Sequence, residues 1–343
     1  MTLQTHQKQE CSMCGTRGKH LYRNISDKLF SAPGIWNLDQ CQNKSCGTLW
    51  LNPYPNTEII PLFYTDYHTH KNIPLHFEHA VRRKSVVDKM RNAYLYTHYK
   101  YGEYTKYNWL FNILSYIHPG WQDARASNHF YLPKVSDGLF LDIGCGAGGS
   151  MAAMRERGWQ TYGIDFDKKA LTIAQSRGLT CATGGLLEQG FPSSHFDAIL
   201  LSHVIEHLPN PEEVLLESYR ILKPGGKISL ITPNSRSWSH MIFGKNWRGL
   251  EIPRHLQIFT PRSLGQLALK AGFSKVKYFS SPHGEMFFIR ESLKIVSEGD
   301  EASILQKKFL KSKIIEHIGL LLFGWINILI PERCGMTIVV GTK

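Results

Sequence analysis

Three glycines at alternate positions, Gly144, Gly146 and Gly148, follow the apolar run Leu139–Ile143. Glycine is needed where a backbone turns with φ > 0 or must lie directly against a ligand. Set between a strand and a helix, such a turn makes a cradle for a nucleotide-like molecule. Letter for letter, Gly144-x-Gly146-x-x-Gly149 also matches the dinucleotide fingerprint. Asp142, two residues before the first glycine, argues against that ligand, because its carboxylate would repel a pyrophosphate. Four cysteines form a second group, Cys11-x-x-Cys14-Gly15 and Cys41-x4-Cys46-Gly47. Two tight turns offering four thiolates suit a tetrahedral Zn²⁺ in a closed structural site. The third group is His203-x-x-Glu206-His207. Alone it matches an inverted zinc-protease motif. Leu208-Pro209-Asn210-Pro211 would end any helix there within one turn, so that reading is set aside.

The elements that must position these groups alternate. Strands are expected at Leu139–Ile143, Gln160–Ile164, Thr180–Ala182, Phe196–Leu201, Lys227–Ile231, Lys275–Ser280 and Met336–Val340. Helices are expected at Ser150–Arg157, Lys168–Arg177 (with Asp167 as N-cap), from Pro211 to Leu222, and from Pro261 to Ala271. This order predicts an α/β protein with a parallel sheet. Asp165, roughly 20 residues beyond the first glycine, stands where a carboxylate accepts from ribose hydroxyls. Its neighbour Phe166 can pack on adenine. S-adenosylmethionine (SAM) carries an ammonium and a sulfonium and no phosphate, so it fits a cradle guarded by Asp142.

The glycine run resembles motif I of the class I SAM-dependent methyltransferases, and Phe196–Asn234 resembles those of the quinone-biosynthesis type. That resemblance implies a Rossmann-like seven-stranded sheet with helices on both faces and an antiparallel last strand. It implies that Asp142, Gly144, Cys145, Gly146, Gly148, Asp165, Phe166, Leu186, Ser202 and His203 line the SAM pocket. Relatives often place an acid after Gly184 for the adenine amine; here Gly185, Leu186 and Leu187 leave only backbone groups. The cysteine segment resembles the small zinc module ahead of some sugar and natural-product methyltransferases, where it helps hold the substrate.

Residues 1–60 are therefore expected to be a zinc-binding module and residues 61–135 a helical linker or substrate lid. Residues 136–343 are the expected methyltransferase domain, with a helical excursion at about 285–331. Within 61–135, a helix is expected at Phe77–Met90, an aromatic stretch follows at Tyr94–Phe111, and Gly120–Ser136 reads as a loop. Tyr67-His68-Thr69-His70 and Lys71 are candidates for a substrate cleft. The segment Ser235–Ile258, with Trp238, Trp247, Arg248, Arg254 and His255, should sit at the carboxyl ends of the strands beside the methyl group. His255 is the expected catalytic base or orienting residue, with His207 second, since imidazole titrates near neutrality.

The 343 residues carry a net charge of +12, which favours anionic partners. A small anionic acceptor is expected, with a hydroxyl of a sugar-, lipid- or nucleotide-linked intermediate as the methylated group. Nucleic acid is not expected, because Arg17, Lys19, Arg23, Lys28 and Lys44 are spread along the N-terminal segment. The competing readings are an RNA methyltransferase and a non-catalytic, zinc-stabilised SAM-fold binding protein. The polar start of the chain and its clustered cysteines predict a reducing, cytoplasmic setting. The run Gly319–Ile330 is too short to span a bilayer and leaves room for a peripheral membrane contact. Oligomeric state is not encoded in any motif.

Overall fold

The structure, a computed structural model, describes residues 3–65, 86–297 and 313–343. Thirteen strands occur among them: β1 (Thr5–His6), β2 (Gly18–Ile25), β3 (Trp36–Cys41), β4 (Leu49–Leu51), β5 (Tyr54–Pro55), β6 (Leu139–Ile143), β7 (Gln160–Asp165), β8 (Thr180–Thr183), β9 (Phe196–Ser202), β10 (Leu222–Pro233), β11 (Gln257–Ile258), β12 (Ser274–Ser281) and β13 (Met336–Thr342).

Seven of these make the main sheet, in the order β12-β13-β10-β9-β6-β7-β8. Strands β6 to β10 pair in parallel, and β13 runs antiparallel between β10 and β12. The expected α/β sheet with an antiparallel last strand is therefore present. The central strands are near-continuous apolar runs because helices cover both faces. Ile199, Leu200 and Leu201 of β9 are fully buried. The chain reverses its strand order at β6, whose neighbours are β9 on one side and β7 on the other. The crevice beyond the carboxyl ends of β6 and β9 is thus the topological switch point, where open α/β sheets bind ligands.

A second sheet has the order β11-β4-β3-β2. Three of its strands come from the N-terminal segment, while β11 belongs to the segment after β10. A single apolar core runs from Trp36, Leu38, Leu49 and Leu51 through Trp247 and Leu256 to Phe140, Leu200 and Ile338. The cysteine segment is consequently packed into the body of the protein.

Between the two sheets' contributions lie helices Val86–Tyr99, Asn108–Ser115 and Pro119–Ser127. The last corrects the loop expected at Gly120–Ser136. Its first turn is capped by the His118 imidazole, which accepts from the Trp121 amide at 3.0 Å. Gly120 belongs inside it because a Cβ there would lie 1.9 Å from the Leu320 carbonyl oxygen on the crossing helix Lys313–Leu329. The expected helix Phe77–Met90 is described only from Val86 onward. The Tyr67–His70 cluster, Lys71 and most of the basic stretch Lys307–Lys313 lie outside the described residues. The excursion between β12 and β13 contains helices Glu285–Ser297 and Lys313–Leu329. No helix among the described residues is long and apolar enough to cross a membrane.

One buried ion network joins the two sequence regions. Arg254, fully buried, donates to Asp27 at 2.8 Å, to Glu251 at 3.2 Å and to the Phe63 carbonyl at 3.2 Å. Its guanidinium also lies 4.5 Å from the Phe30 ring centroid. Removing one member of a buried ion network leaves uncompensated charge, at a cost of about 3–5 kcal/mol. Arg254→Met should accordingly lower the urea midpoint by that equivalent. A loss under about 1 kcal/mol in equilibrium unfolding would show that the network is not what joins the regions.

Candidate functional site: a SAM cradle beside a histidine–carboxylate cluster

Each glycine of the loop after β6 is required for its own reason. Gly144, Gly146 and Gly148 have φ of +74°, +51° and +81°, in the left-handed region. A Cβ on Gly144 would lie 2.4 Å from Val204, and one on Gly148 would lie 2.3 Å from Leu179. A Cβ on Gly146 would meet no protein atom within 4 Å and would instead project into the cradle. The loop is held from below by β7: the amides of Gly144 and Cys145 donate to the Ile164 carbonyl. Asp165, at the end of β7, accepts from the Gly146 amide and from the Asp167 amide, each at 2.8 Å. Its carboxylate is therefore oriented by backbone before any ligand arrives.

Asp142 is buried at the end of β6, and its Oδ2 has no hydrogen-bond partner among the described residues. Burial pushes its pKa up to about 8, with the Asp165 carboxylate adding to the rise. Ser150 hydrogen-bonds this carboxyl, and the rise keeps it largely protonated at neutral pH; a cationic ligand at the cradle would favour its ionised form. Phe166 is 70% exposed and stands at the rim, within 3.0 Å of where a Cβ on Gly185 would be. Two expected pocket residues turn inward. The Cys145 thiol packs with Met151, Leu171 and Leu179, and burial raises its pKa. The Leu186 side chain packs in a second apolar cluster with Leu141, Ile164 and Ile199.

The opposite wall begins where β9 ends. His203, next after Ser202, has φ +56° and half-exposes its ring, with Nδ1 3.5 Å from Glu206 Oε1. The chain then makes a single 3₁₀ turn, Ile205–His207, as the prolines at 209 and 211 require. The three residues of the motif thus do not share a helix face, and the zinc-protease reading fails on geometry.

That turn meets His255. The His207 Nδ1 lies 3.0 Å from the Arg254 carbonyl, and the His255 Nδ1 lies 2.8 Å from the Gly249 carbonyl. A carbonyl only accepts, so each Nδ1 carries the proton and each Nε2 keeps a lone pair. The two rings are 4.7 Å apart, and His255 Nε2 is 4.0 Å from Glu206 Oε1. Glu206 is fully buried, and neither carboxylate oxygen has a hydrogen-bond partner among the described residues. Burial opposes its ionisation, but the surrounding imidazoles outweigh that and hold its pKa at about 2. Burial and His207 hold His255 at about 4, so it is neutral at pH 7. The Glu206 carboxylate and one nitrogen of each ring lie within 4.8 Å of one another and could hold a metal ion. Tyr64, whose hydroxyl is 3.0 Å from His207 Nδ1, closes this wall. Sequence reasoning missed Tyr64 and Glu206 as site residues: Tyr64 lies in a turn, Thr57–Tyr64, far away along the chain.

The four cysteines also converge. Cys11 and Cys46 sulfurs are 3.7 Å apart, Cys14 and Cys41 sulfurs 3.4 Å, and all four lie within 4.8 Å of one another. A tetrahedron of thiolates at ~2.3 Å from Zn²⁺ has edges of about 3.8 Å. Gly15 and Gly47, at φ +69° and +66°, close the two turns. Their amides donate to the carbonyls of Cys11 and Asn43.

Comparison with known proteins agrees with the cradle. Residues 118–278 match a family described as a methyltransferase domain. The ubiquinone biosynthesis O-methyltransferase of Chromobacterium violaceum is 32% identical over 146 residues, covering 38% of this chain and 62% of that protein. The protein of the same name from Pseudomonas putida (strain GB-1) is 31% identical over 179 residues, covering 47% of this chain and 74% of that protein. A SAM-dependent methyltransferase of known structure from Archaeoglobus fulgidus is 20% identical, with a TM-score of 0.45, covering 69% of this chain and all of that one. The chain thus spans less than two thirds of the Chromobacterium relative's length. It belongs to the class I SAM-dependent methyltransferases.

Asp165→Ala would remove a carboxylate that backbone has already oriented for the ribose. Charge-assisted hydrogen bonds contribute ~1.5–3 kcal/mol. SAM affinity should fall about tenfold or more by calorimetry, and an unchanged affinity would refute the assignment.

Proposed function

We propose that this chain transfers the SAM methyl group to a hydroxyl of a small anionic acceptor. The acceptor class is a sugar-, lipid- or nucleotide-linked intermediate in surface-polysaccharide or natural-product synthesis. The observation that carries the hydroxyl is the Glu206–His207–His255 cluster on the wall facing the cradle. Methyl transfer is an in-line displacement on an already activated donor. The protein's main task is therefore to hold the acceptor atom about 3–3.5 Å from the methyl carbon. A hydroxyl also needs help losing its proton, and an imidazole Nε2 lone pair is suited to take it. His255 and His207 both present that lone pair because backbone carbonyls fix the opposite nitrogen. A divalent ion held by Glu206, His207 and His255 would supply Lewis-acid polarisation of the same hydroxyl. The names of the ubiquinone biosynthesis relatives support O-methylation.

The RNA reading is weaker, because β9 ends in Ser202-His203-Val204-Ile205-Glu206-His207 rather than in the Asn/Asp-Pro-Pro-aromatic run of base-amine methylation. A non-catalytic binding protein would have no use for a buried, unpaired carboxylate beside the cradle. We further propose that the four cysteines hold one structural Zn²⁺ and that the protein works in the cytoplasm.

Methyl incorporation from labelled SAM into a small-molecule cell extract tests the main reading. Incorporation that survives chelation assigns the proton to a free imidazole, and incorporation lost on chelation and restored by a divalent ion assigns the role to a metal on those same lone pairs. His255→Ala should lower turnover by about a hundredfold while SAM affinity stays within about twofold. Turnover unaffected by the substitution would remove His255 from the mechanism. For the cysteines, metal analysis should give one zinc per chain. Cys14→Ser should lose that zinc and several degrees of thermal midpoint; a metal-free wild-type protein of equal stability would rule the site out.

A further inference from the structure

The N-terminal sheet carries a cleft that the methyl-transfer site does not use. It has a volume of about 380 Å³ and spans β2 and β3, reaching Asp39 of β3 and Asn52 just beyond β4. Arg17, Lys19 and Arg23 line it together with the amides of Gln7 and Gln9. The three cations fall within seven residues, Arg17 just before β2 and Lys19 and Arg23 on it, and all three line the one cavity. None of the three has an ion pair or a side-chain hydrogen bond among the described residues. The acid in the cleft, Asp39, does not neutralise them. It is 3% exposed, pairs with His20 and accepts from Asn52 at 2.7 Å. The floor is flat because Gly18 lies on the indole of Trp50, where a Cβ would come within 2.5 Å of the ring.

Three unpaired cations, two of them guanidinium forks, with neutral amide donors beside them make a receptor for a phosphoryl group. Two guanidiniums match the geometry of a phosphate ester better than that of a lone carboxylate in water. The cleft is separate from the SAM cradle. β2 is one edge of its sheet, and the other edge, β11, adjoins the Ile205–His207 turn. With strands ~4.8 Å apart, the two edges are about 14 Å from each other. That separation suits an extended molecule that is methylated at one end and anchored at the other.

We propose that this cleft binds a phosphoryl anion, either the phosphorylated portion of the acceptor or a separate phosphorylated effector. The first source rests on the small anionic acceptor proposed above; the anion site itself does not. Calorimetry of the full-length chain with inorganic pyrophosphate is the direct test. Binding should be measurable in the millimolar range or tighter and should weaken as salt rises. Arg17→Gln/Arg23→Gln should weaken it at least tenfold, while SAM affinity and the thermal midpoint stay as in the wild type. Lys19→Gln alone should have a smaller effect in the same direction. No pyrophosphate binding by a protein that still binds SAM would overturn the proposal and leave the methyltransferase reading intact. Equal binding by wild type and double variant would overturn it as well, by placing the anion elsewhere. In the labelled-SAM assay, inhibition by pyrophosphate that more extract relieves places the phosphoryl group on the acceptor. A pyrophosphate effect on turnover that more extract does not relieve, absent in the double variant, marks an effector.

Discussion

The backbone of Leu256 is the point on which the site depends. Its amide donates to the Glu206 carbonyl at 2.9 Å, and its own carbonyl accepts from the Leu51 amide at 3.1 Å. One residue thus fastens the turn after β9 to the N-terminal sheet. The pairing of β11 with β4 continues the same seam at Gln257↔Trp50 and Ile258↔Leu49. Gln257 adds a side-chain bond to the Leu208 carbonyl at 3.0 Å. A strand with no partner would expose its polar backbone, so β11 keeps its conformation only because β4 lies beside it. The acceptor-side segment is therefore rigid on account of residues more than two hundred positions earlier. The cysteine cluster lies at the end of the same strands: Cys41 closes β3, and the Cys46 and Gly47 carbonyls accept from the hydroxyls of Thr260 and Ser235. A structural metal there would hold the frame to which His255 is attached, with no contact to the reacting atoms.

Electrostatics divides the cleft into two halves with different needs. Around the cradle, Asp142 and Asp165 are carboxylates near each other, one orphaned and one held by amides. Such a pair favours an incoming positive charge, which would bring the raised pKa of Asp142 back down. On the facing wall, the buried Glu206 carboxylate lies among imidazoles, with His203 Nδ1 at 3.5 Å and His255 Nε2 at 4.0 Å, and they hold it ionised. A cation or an acceptor hydroxyl satisfies it. Both halves are thus incomplete in complementary ways, one waiting for a sulfonium ligand and the other for a proton donor or a metal.

The cofactor half was legible in the sequence because its geometry is local. The strand, the glycine turn and Asp165 lie within about two dozen residues, and each glycine's role follows from the φ it must adopt. The seven-stranded sheet was legible for the same reason, its strands being short apolar runs separated by caps and glycines. The helix Pro119–Ser127 was not, since Pro119 and Gly120 read as breakers. The proline is at the first helical turn, where its missing amide costs nothing, and the glycine is there for a helix crossing with Gly324 and Leu320. Cys145 and Leu186 sit at the right positions in the chain, yet their side chains face the core, because spacing fixes where a residue lies and not which way it points.

The acceptor half was only partly legible, and the reason is physical. His207 and His255 could be picked as titratable groups, but their tautomers are fixed by the carbonyls of Arg254 and Gly249, which no motif reveals. Arg254 reads in the sequence as one more basic residue of a charged protein. In the fold it is the most buried cation among the described residues, bound to Asp27 from the other end of the chain, and its carbonyl is what orients His207. Its side chain and its main chain therefore act together: the ion network fixes the peptide, and the peptide fixes the proton on the imidazole. Any change that lets Arg254 move, whether at Asp27, at Glu251 or in the N-terminal sheet, frees the His207 ring to take the other tautomer. The lone pair would then turn away from Glu206. This links the N-terminal segment to the chemistry by a route of hydrogen bonds, and it makes that segment part of the acceptor site without requiring that it touch the acceptor.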